Sequence, residues 1–248
     1  MVSFAAEPVF RLGFFTFTNA FLDTLLVDAF LIGLIIALNK KLSLIPGMLQ
    51  NILEMVIQTF YALTESVAGK NAYKIFPFFM SFFIFILVAN WTGLIPGLTS
   101  IGFYEHGRLV PIFRAATSDF NVTFALAVVS ALATHAMSIT TIGIKDYLSR
   151  YFSINPIYLF VGFLEIISEI TKVASLSFRL FGNIFAGEVV LGTVSTIFAF
   201  IFPLPFLMLE VIVGLIQALV FGMLTMAFMA ILSTPHHEKA KEVSKNGL

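Results

Sequence analysis

Three long stretches of this chain contain no charged residue. Asp, Glu, Lys and Arg are all absent from residues 75–104, 120–144 and 189–209. Each stretch reaches the roughly 20 apolar residues that a helix needs to cross the hydrocarbon core of a bilayer. The short alternating strands of a membrane barrel are not found. The sequence therefore predicts an all-α, polytopic membrane protein that forms a single integral membrane domain over residues 1–248.

The composition supports this class and excludes several functions. Hydrophobic residues make up 59% of the chain and charged residues 11%, whereas a soluble domain carries about 25% charged residues. The formal net charge is zero and no long basic arm occurs, so we expect no nucleic-acid partner. Cysteine is absent, which excludes disulfides, thiolate chemistry and Cys-based metal sites. No cofactor or metal ion is predicted.

Charged residues and prolines divide the chain into five expected transmembrane helices. These helices cover about residues 17–38, 75–95, 120–144, 157–198 and 206–233. Lysine and arginine favour the cytoplasmic side of a membrane. Here they gather after the first and third spans and in the C-terminal tail. Five spans with the N-terminus outside and the C-terminus in the cytoplasm satisfy this bias.

Residues 48–65 form a segment of a different kind. Its apolar face holds Met48, Leu49, Ile52, Leu53, Val56, Phe60 and Leu63, and its polar face holds Gln50, Asn51, Glu54, Gln58 and Glu65. This pattern predicts an amphipathic helix that lies at the membrane interface or against a partner. A sixth, less apolar span remains an alternative.

The stretch 157–198 is too long for an ordinary span. A continuous helix of this length would measure about 63 Å, although the hydrocarbon core is only about 30 Å thick. No proline interrupts it, and Pro203 and Pro205 separate it from the last helix. We expect the last two spans to be long, steeply tilted and paired as an antiparallel hairpin.

Polar residues of this long helix form one stripe that contains a permanent positive charge. At 100° per residue, four residues lie within about 40° of Glu165: Glu169, Lys172, Arg179 and Asn183. Ser175 flanks the stripe, and Glu188 lies on another face. Placing an arginine at the centre of a bilayer costs about 2.5–3.5 kcal/mol of insertion free energy, so such a residue usually has a function.

The last helix carries two polar groups that match this stripe. Glu210 and Gln217 are seven residues apart and share a helical face. If Gln217 lies level with Arg179, then Glu210 and Glu188 reach a similar depth on the outer side. Carboxyl groups can take up and release protons, whereas arginine stays protonated at any working pH. The layout predicts a proton path that is interrupted at Arg179.

Three segments of the sequence resemble a known family. "RLFGNIFAGE" at 179–188, "EVIVGLIQALVFGMLT" at 210–225 and "NWTGLIPG" at 90–97 are similar to subunit a of the rotary proton-translocating ATP synthase. The long helix and the amphipathic segment extend this resemblance over nearly the whole chain. It implies a non-catalytic stator subunit, in which two offset half-channels lead protons to and from a rotating ring of c subunits.

The resemblance also implies roles for individual residues. Arg179 matches the essential arginine of the family, and Gln217 matches the glutamine beside it. The outer half-channel would use Asn183, Glu188 and Glu210, while Glu165, Lys172 and Ser175 lie near the cytoplasmic one. Glu169 joins the cytoplasmic set because it shares their stripe. Family members can carry histidine at the position of Gly187 or of Glu210, so this chain favours an outer path made of carboxyl groups.

The implied partners are the c ring, the peripheral-stalk b subunits, the rest of the ATP synthase complex and the lipid bilayer. A bacterial inner membrane is the expected location, and a thylakoid or mitochondrial membrane is the alternative. The sequence leaves open whether the ring carries protons or sodium ions, because the ring residues select the ion. We expect His135 to be a core histidine, and we expect Asp23 and Asp28 to lie near the outer surface.

Two other functions remain as alternatives at this stage. A stand-alone, ion-coupled secondary transporter could use the same buried charges, but the internal repeats common in such proteins are not found. An intramembrane hydrolase is less well supported, because the sequence has neither a nucleophile elbow nor an H-E-x-x-H motif.

Overall fold

The computed structural model describes residues 7–12, 15–40, 46–95, 97–98, 101–105, 108–151, 156–197 and 202–234. Most of these residues belong to helices. In chain order the helices are α1 Asn19–Asn39, α2 Met48–Ala68, α3 Ala72–Thr92, α4 Phe120–Ile142, α5 Ile144–Tyr151, α6 Pro156–Ile197 and α7 Pro203–Leu232. The predicted all-α membrane class is therefore confirmed.

The segments between the long helices hold regular structure that the sequence analysis did not predict. A short antiparallel hairpin of β1 Pro8–Leu12 and β2 Phe15–Thr18 precedes α1. A second hairpin, of β3 Gly102–Glu105 and β4 Arg108–Pro111, lies within the expected loop between α3 and α4. Residues 145–150, which follow the third expected span, are helical and belong to α5.

Among the described residues, four helical stretches are long and apolar enough to cross a membrane: Asn19–Asn39, Gln50–Thr92, Phe120–Ile142 and Pro203–Leu232. The second stretch includes most of α2, a 3₁₀ turn at Gly69–Asn71 and α3. Many large apolar side chains on these helices are exposed in the isolated chain. Apolar surface of this extent requires a lipid or protein covering, as expected of a multi-pass membrane protein.

Helices α3 and α7 pack closely through glycines of α7. The side-chain Nδ2 of Asn90 donates a hydrogen bond to the carbonyl oxygen of Gly214 at 2.9 Å. A Cβ atom on Gly214 would lie 3.2 Å from that of Asn90, and one on Gly222 would lie 3.0 Å from the ring of Phe79. Small residues allow membrane helices to approach in this way, so α3 fixes the position of α7.

Helix α6 runs without a break over 42 residues, as the uninterrupted sequence predicts. It packs between α4 and α7, where Leu180 and Ile184 join Phe221 in the main apolar core. Helix α4 is tied to α7 by a hydrogen bond between the hydroxyls of Ser130 and Thr225 at 2.8 Å. These contacts hold the polar stripe of α6 beside α7.

Helix α2 extends the predicted amphipathic helix to Ala68. It touches the bundle through Phe60, whose ring centroid lies 5.5 Å from that of Phe79 and 5.0 Å from that of Phe83. Other side chains of its predicted apolar face are exposed: Met48, Ile52, Leu53 and Val56. The apolar face of α2 is therefore only partly covered by the chain itself. The side chain of Leu49 and the tail with His236 and His237 lie outside the described residues.

Candidate functional site

Arg179 lies near the middle of α6 and is exposed. Its Nη2 atom donates to the hydroxyl of Ser175 at 3.4 Å. Within the described ranges, no carboxylate lies at ion-pairing distance from its guanidinium group. Gln217 of α7 lines a small pocket together with Arg179, and exposed Asn183 lies one turn further along α6. The structure thus brings Arg179 and Gln217 together and leaves the cation accessible from outside the chain.

A cavity of about 410 Å³ opens on the side of Arg179 that faces the start of α6. Its polar wall consists of Ser168, Thr171, Lys172, Ser175 and Arg179, while Leu224 and Phe228 of α7 contribute to the apolar wall. The cavity is large enough to hold several water molecules, each of which occupies about 30 Å³ in the liquid. It can therefore give water access to Arg179 from this side.

The acidic residues near the start of α6 are held in ion pairs. Glu169 Oε1 accepts from Lys172 Nζ at 2.6 Å, and Lys172 also lies over the ring of Phe228. Glu165 Oε1 lies 3.4 Å from Nε of Arg150, a buried residue of α5. The structure thus pairs Glu169 with Lys172 as helical spacing allows, but pairs Glu165 across to another helix.

On the other side of Arg179, Glu188 forms an ion pair with Arg114. Nε of Arg114 lies 3.1 Å and 3.2 Å from the two carboxylate oxygens, and Nη2 lies 3.0 Å from one of them. Arg114 is buried, whereas the side chain of Glu188 is 24% exposed. Such two-pronged geometry makes this a strong, oriented contact between α6 and the segment before α4.

Glu210 of α7 lies against the backbone of Gly187, one residue before Glu188. A Cβ atom on Gly187 would overlap the carboxyl group of Glu210, so a larger residue there would require that carboxyl group to move. Glu210 is 6% exposed, and its Oε2 atom has no hydrogen-bond partner among the described residues. The pairs Arg179–Gln217 and Gly187–Glu210 together fix an antiparallel register between α6 and α7.

Comparison with known proteins identifies the family of this chain. The profile of the family described as ATP synthase A chain matches residues 21–230. The chain belongs to this family. The protein named ATP synthase subunit a from Moorella thermoacetica is 33% identical over 222 residues, which cover 90% of this chain and 94% of that protein.

Two further relatives are also similar to this chain over most of its length. ATP synthase subunit a 1 from Hahella chejuensis is 37% identical over 207 residues, covering 84% of this chain and 80% of that protein. ATP synthase subunit a from Legionella pneumophila is 33% identical over 228 residues, covering 92% of this chain and 91% of that protein.

Two charged residues of this chain gained importance only with the structure. Arg114 was not among the predicted site residues, although it lies shortly before the uncharged stretch 120–144. Asp23 is fully buried, and its Oδ2 atom accepts from Thr92 Oγ1 and from the backbone N–H of Ala116, both at 2.9 Å. Asp28, by contrast, is exposed. Asp23 thus joins α1 to α3 and to the segment that positions Arg114.

Proposed function

We propose that this chain is the proton-channel stator subunit of a rotary ATP synthase, in which Arg179 separates two half-channels. The observation that carries the proposal is the accessible cation of Arg179, which has no carboxylate partner in the described chain and lies between two sets of carboxyl groups. Membership of the ATP synthase A chain family supports the same function. A stand-alone transporter is not favoured.

The outer half-channel would contain Glu188 and Glu210, with Asn183 and Gln217 nearer to Arg179. Glu210 is suited to receive a proton because it is buried and one of its oxygens has no partner in the described chain. Glu188 is more exposed and is balanced by Arg114. A proton would therefore pass from Glu188 toward Glu210 and then to the ring.

The cytoplasmic half-channel would use the cavity of about 410 Å³ beside Lys172, Ser175 and Arg179. Glu165 and Glu169 lie on the same side of Arg179 as the cavity, and their pairing with Arg150 and Lys172 would let them exchange protons without leaving an uncompensated charge. Arg179 forms part of the cavity wall, and it cannot act as a base. No proton would thus cross between the two half-channels within this chain.

A ring carboxylate would carry the proton past Arg179. Its neutral form can turn through lipid, whereas the charged form cannot, because burying an unpaired charge costs too much. Beside Arg179 the ionised form is favoured, so the proton leaves. A potential of 100 mV supplies about 2.3 kcal/mol per proton for this cycle. The chain itself would perform no phosphoryl chemistry.

The helix packing supports five transmembrane helices, α1, α3, α4, α6 and α7, within one membrane domain. Helix α6 fits a span despite its charges because it packs between two apolar helices. Helix α2 would lie at the interface, since its apolar face is only partly covered. The distribution of lysine and arginine supports an N-terminus outside and a cytoplasmic C-terminus.

The partners would be the c ring and the peripheral-stalk b subunits, in a bacterial inner membrane. The ring would face the side of α6 that carries Arg179, where Gly182 and Asn183 are also exposed. A Cβ atom on Gly182 would meet nothing within 4 Å in the isolated chain. This open surface is available for close contact with another helix.

Purification under mild conditions tests the proposed function. The chain should copurify with a ring of small hairpin subunits, and inverted vesicles that contain the complex should acidify their interior when ATP is added. Harsh detergent, which releases the ring, serves as the control and should remove both properties. A chain that carries ions alone in liposomes, without any ring, would contradict the proposal.

The fit between Gly187 and Glu210 gives a prediction about the outer path. Replacing Gly187 by alanine should displace the carboxyl group of Glu210, because the new methyl group would overlap it. A shift of about 1 Å can cost up to roughly a hundredfold in rate, so we expect ATP-driven proton pumping to fall at least tenfold. The matched variant Gly33→Ala, where a Cβ meets nothing within 4 Å, should pump normally. Equal pumping by both variants would contradict this placement of Glu210.

A further inference from the structure

A histidine and a tyrosine lie next to the ion pairs at the start of α6. The hydroxyl of Tyr147 on α5 is hydrogen-bonded to Nδ1 of His135 on α4 at 3.0 Å. The other ring nitrogen of His135, Nε2, lies 3.8 Å from Oε2 of Glu169. The His135 side chain is 27% exposed, so it is neither fully buried in the core nor free in solvent.

This group is connected to the cavity beside Arg179. The second carboxylate oxygen of Glu169 accepts from Lys172 at 2.6 Å, and Lys172 lines the cavity. The Glu169 carboxylate therefore has one oxygen toward the cavity wall and the other toward His135. His135 lies seven residues before the end of α4, or about 10 Å along the helix, which brings it near the membrane surface at this end.

We propose that His135 is a proton-exchanging residue of the cytoplasmic half-channel, which receives protons from the cavity through the Glu169 carboxyl group. The proposal rests on the function proposed above. Imidazole suits this role because it takes up and releases protons between about pH 5 and 8. The separation of 3.8 Å is closed by one bridging water or by a small rotation of the carboxylate.

The transfer needs no other reactant. In the tautomer with hydrogen on Nδ1, that N–H donates to the Tyr147 oxygen, and the lone pair of Nε2 faces Glu169. A proton on the Glu169 carboxyl group leaves its oxygen and forms an N–H bond at Nε2. The imidazolium then gives this proton from Nε2 to bulk water and returns to the starting tautomer. Tyr147 is a positioning residue, since its hydroxyl bonds Nδ1 and so holds the ring with Nε2 toward Glu169.

Ionisable groups on several helices lie around His135. Helix α6 contributes the Glu169 carboxylate, 3.8 Å from Nε2, and Lys172, which is paired with Glu169. Glu165 is paired with Arg150 of α5, and Tyr151 packs edge-on against Tyr147. The ionisable residues at this end of α3 are the exposed Tyr73 and Lys74, which contact each other. Within 203–234, α7 and its flanks have Glu210 as their only ionisable residue, toward the opposite end.

Proton conduction at controlled pH tests the proposal. Inverted vesicles stripped of the catalytic sector expose the cytoplasmic face, and a potassium diffusion potential drives protons outward through the membrane sector. Near pH 7, membranes with His135→Gln should conduct protons about tenfold more slowly than wild type. This decrease is smaller than the one expected when an obligatory acid or base is removed, because water in the cavity remains as a second route. At a pH low enough to keep imidazole rings protonated, the two should conduct alike, since a protonated ring cannot accept another proton.

A second variant separates proton exchange from packing. Glu169→Gln keeps an acceptor for Lys172 but can no longer pass a proton to His135, so near pH 7 it should slow conduction about as much as His135→Gln does, and the double variant should be no slower than either single variant. The control Thr140→Val changes an exposed residue of α4 and should leave the profile unchanged. Profiles of both His135→Gln and Glu169→Gln that match wild type would overturn the inference.

The proposed function can fail independently of this inference. If the wild-type sector conducts, and Arg179→Ala removes coupled pumping, then an unchanged His135→Gln profile refutes only the role of His135. If the wild-type sector does not conduct, or if coupled pumping does not depend on Arg179, then the proposed function is itself wrong.

Discussion

Replacing Arg179 by alanine should abolish ATP-driven proton pumping while leaving the complex assembled. Arg179 is exposed and its side chain bonds only weakly within the chain, to Ser175 at 3.4 Å, so the fold should not depend on it. Without the cation, an ionised ring carboxylate beside α6 would be unpaired in the membrane. That costs about 2.5–3.5 kcal/mol, which corresponds to roughly a hundredfold lower population of the ionised state.

Acidification of inverted vesicles after addition of ATP, together with the amount of ring that copurifies, measures this effect. Arg179→Lys keeps a positive charge but loses the planar fork of the guanidinium group, so it should retain a small part of the pumping. Lys145→Ala removes an exposed cation on α5 and should pump as wild type does. If Arg179→Ala pumped normally in an assembled complex, neither half-channel could end at this residue.

The helices of this chain could be predicted well because their pattern is local. The expected span 157–198 corresponds to α6 at Pro156–Ile197, and the expected span 206–233 corresponds to α7 at Pro203–Leu232. Long apolar runs bounded by charges and prolines fix such elements without knowledge of the rest of the fold. The hairpin of β3 and β4 was missed, since strands of four residues contain too little alternation to be distinguished from a loop.

Helical periodicity also predicted which polar residues share a face of α6, but it could not predict their partners. Glu188 was correctly assigned to a different face from Arg179. Its contact with Arg114 joins residues 74 positions apart and depends on how the segment before α4 lies against α6. The contact of His135 with Glu169 likewise depends on the packing of α4 on α6. Periodicity describes one helix at a time, so contacts between helices require the structure.

Breaking the contact between Arg114 and Glu188 should strongly destabilise the protein. Arg114→Gln leaves the Glu188 carboxylate near Glu210 without its cation, and Glu188→Gln leaves the buried Arg114 without its anion. Loss of one partner from a buried pair costs about 3–5 kcal/mol, and we expect the lower end because Glu188 is 24% exposed. The midpoint of thermal unfolding of the purified complex should fall in both single variants.

The double variant Arg114→Gln/Glu188→Gln separates stability from proton transfer. Two neutral amides leave no buried charge, so the double variant should be more stable than the sum of the single losses predicts. Its proton pumping should stay low, because an amide at position 188 cannot take up a proton. Additive losses of stability would show that the two side chains act independently, and normal pumping in the double variant would remove Glu188 from the outer half-channel.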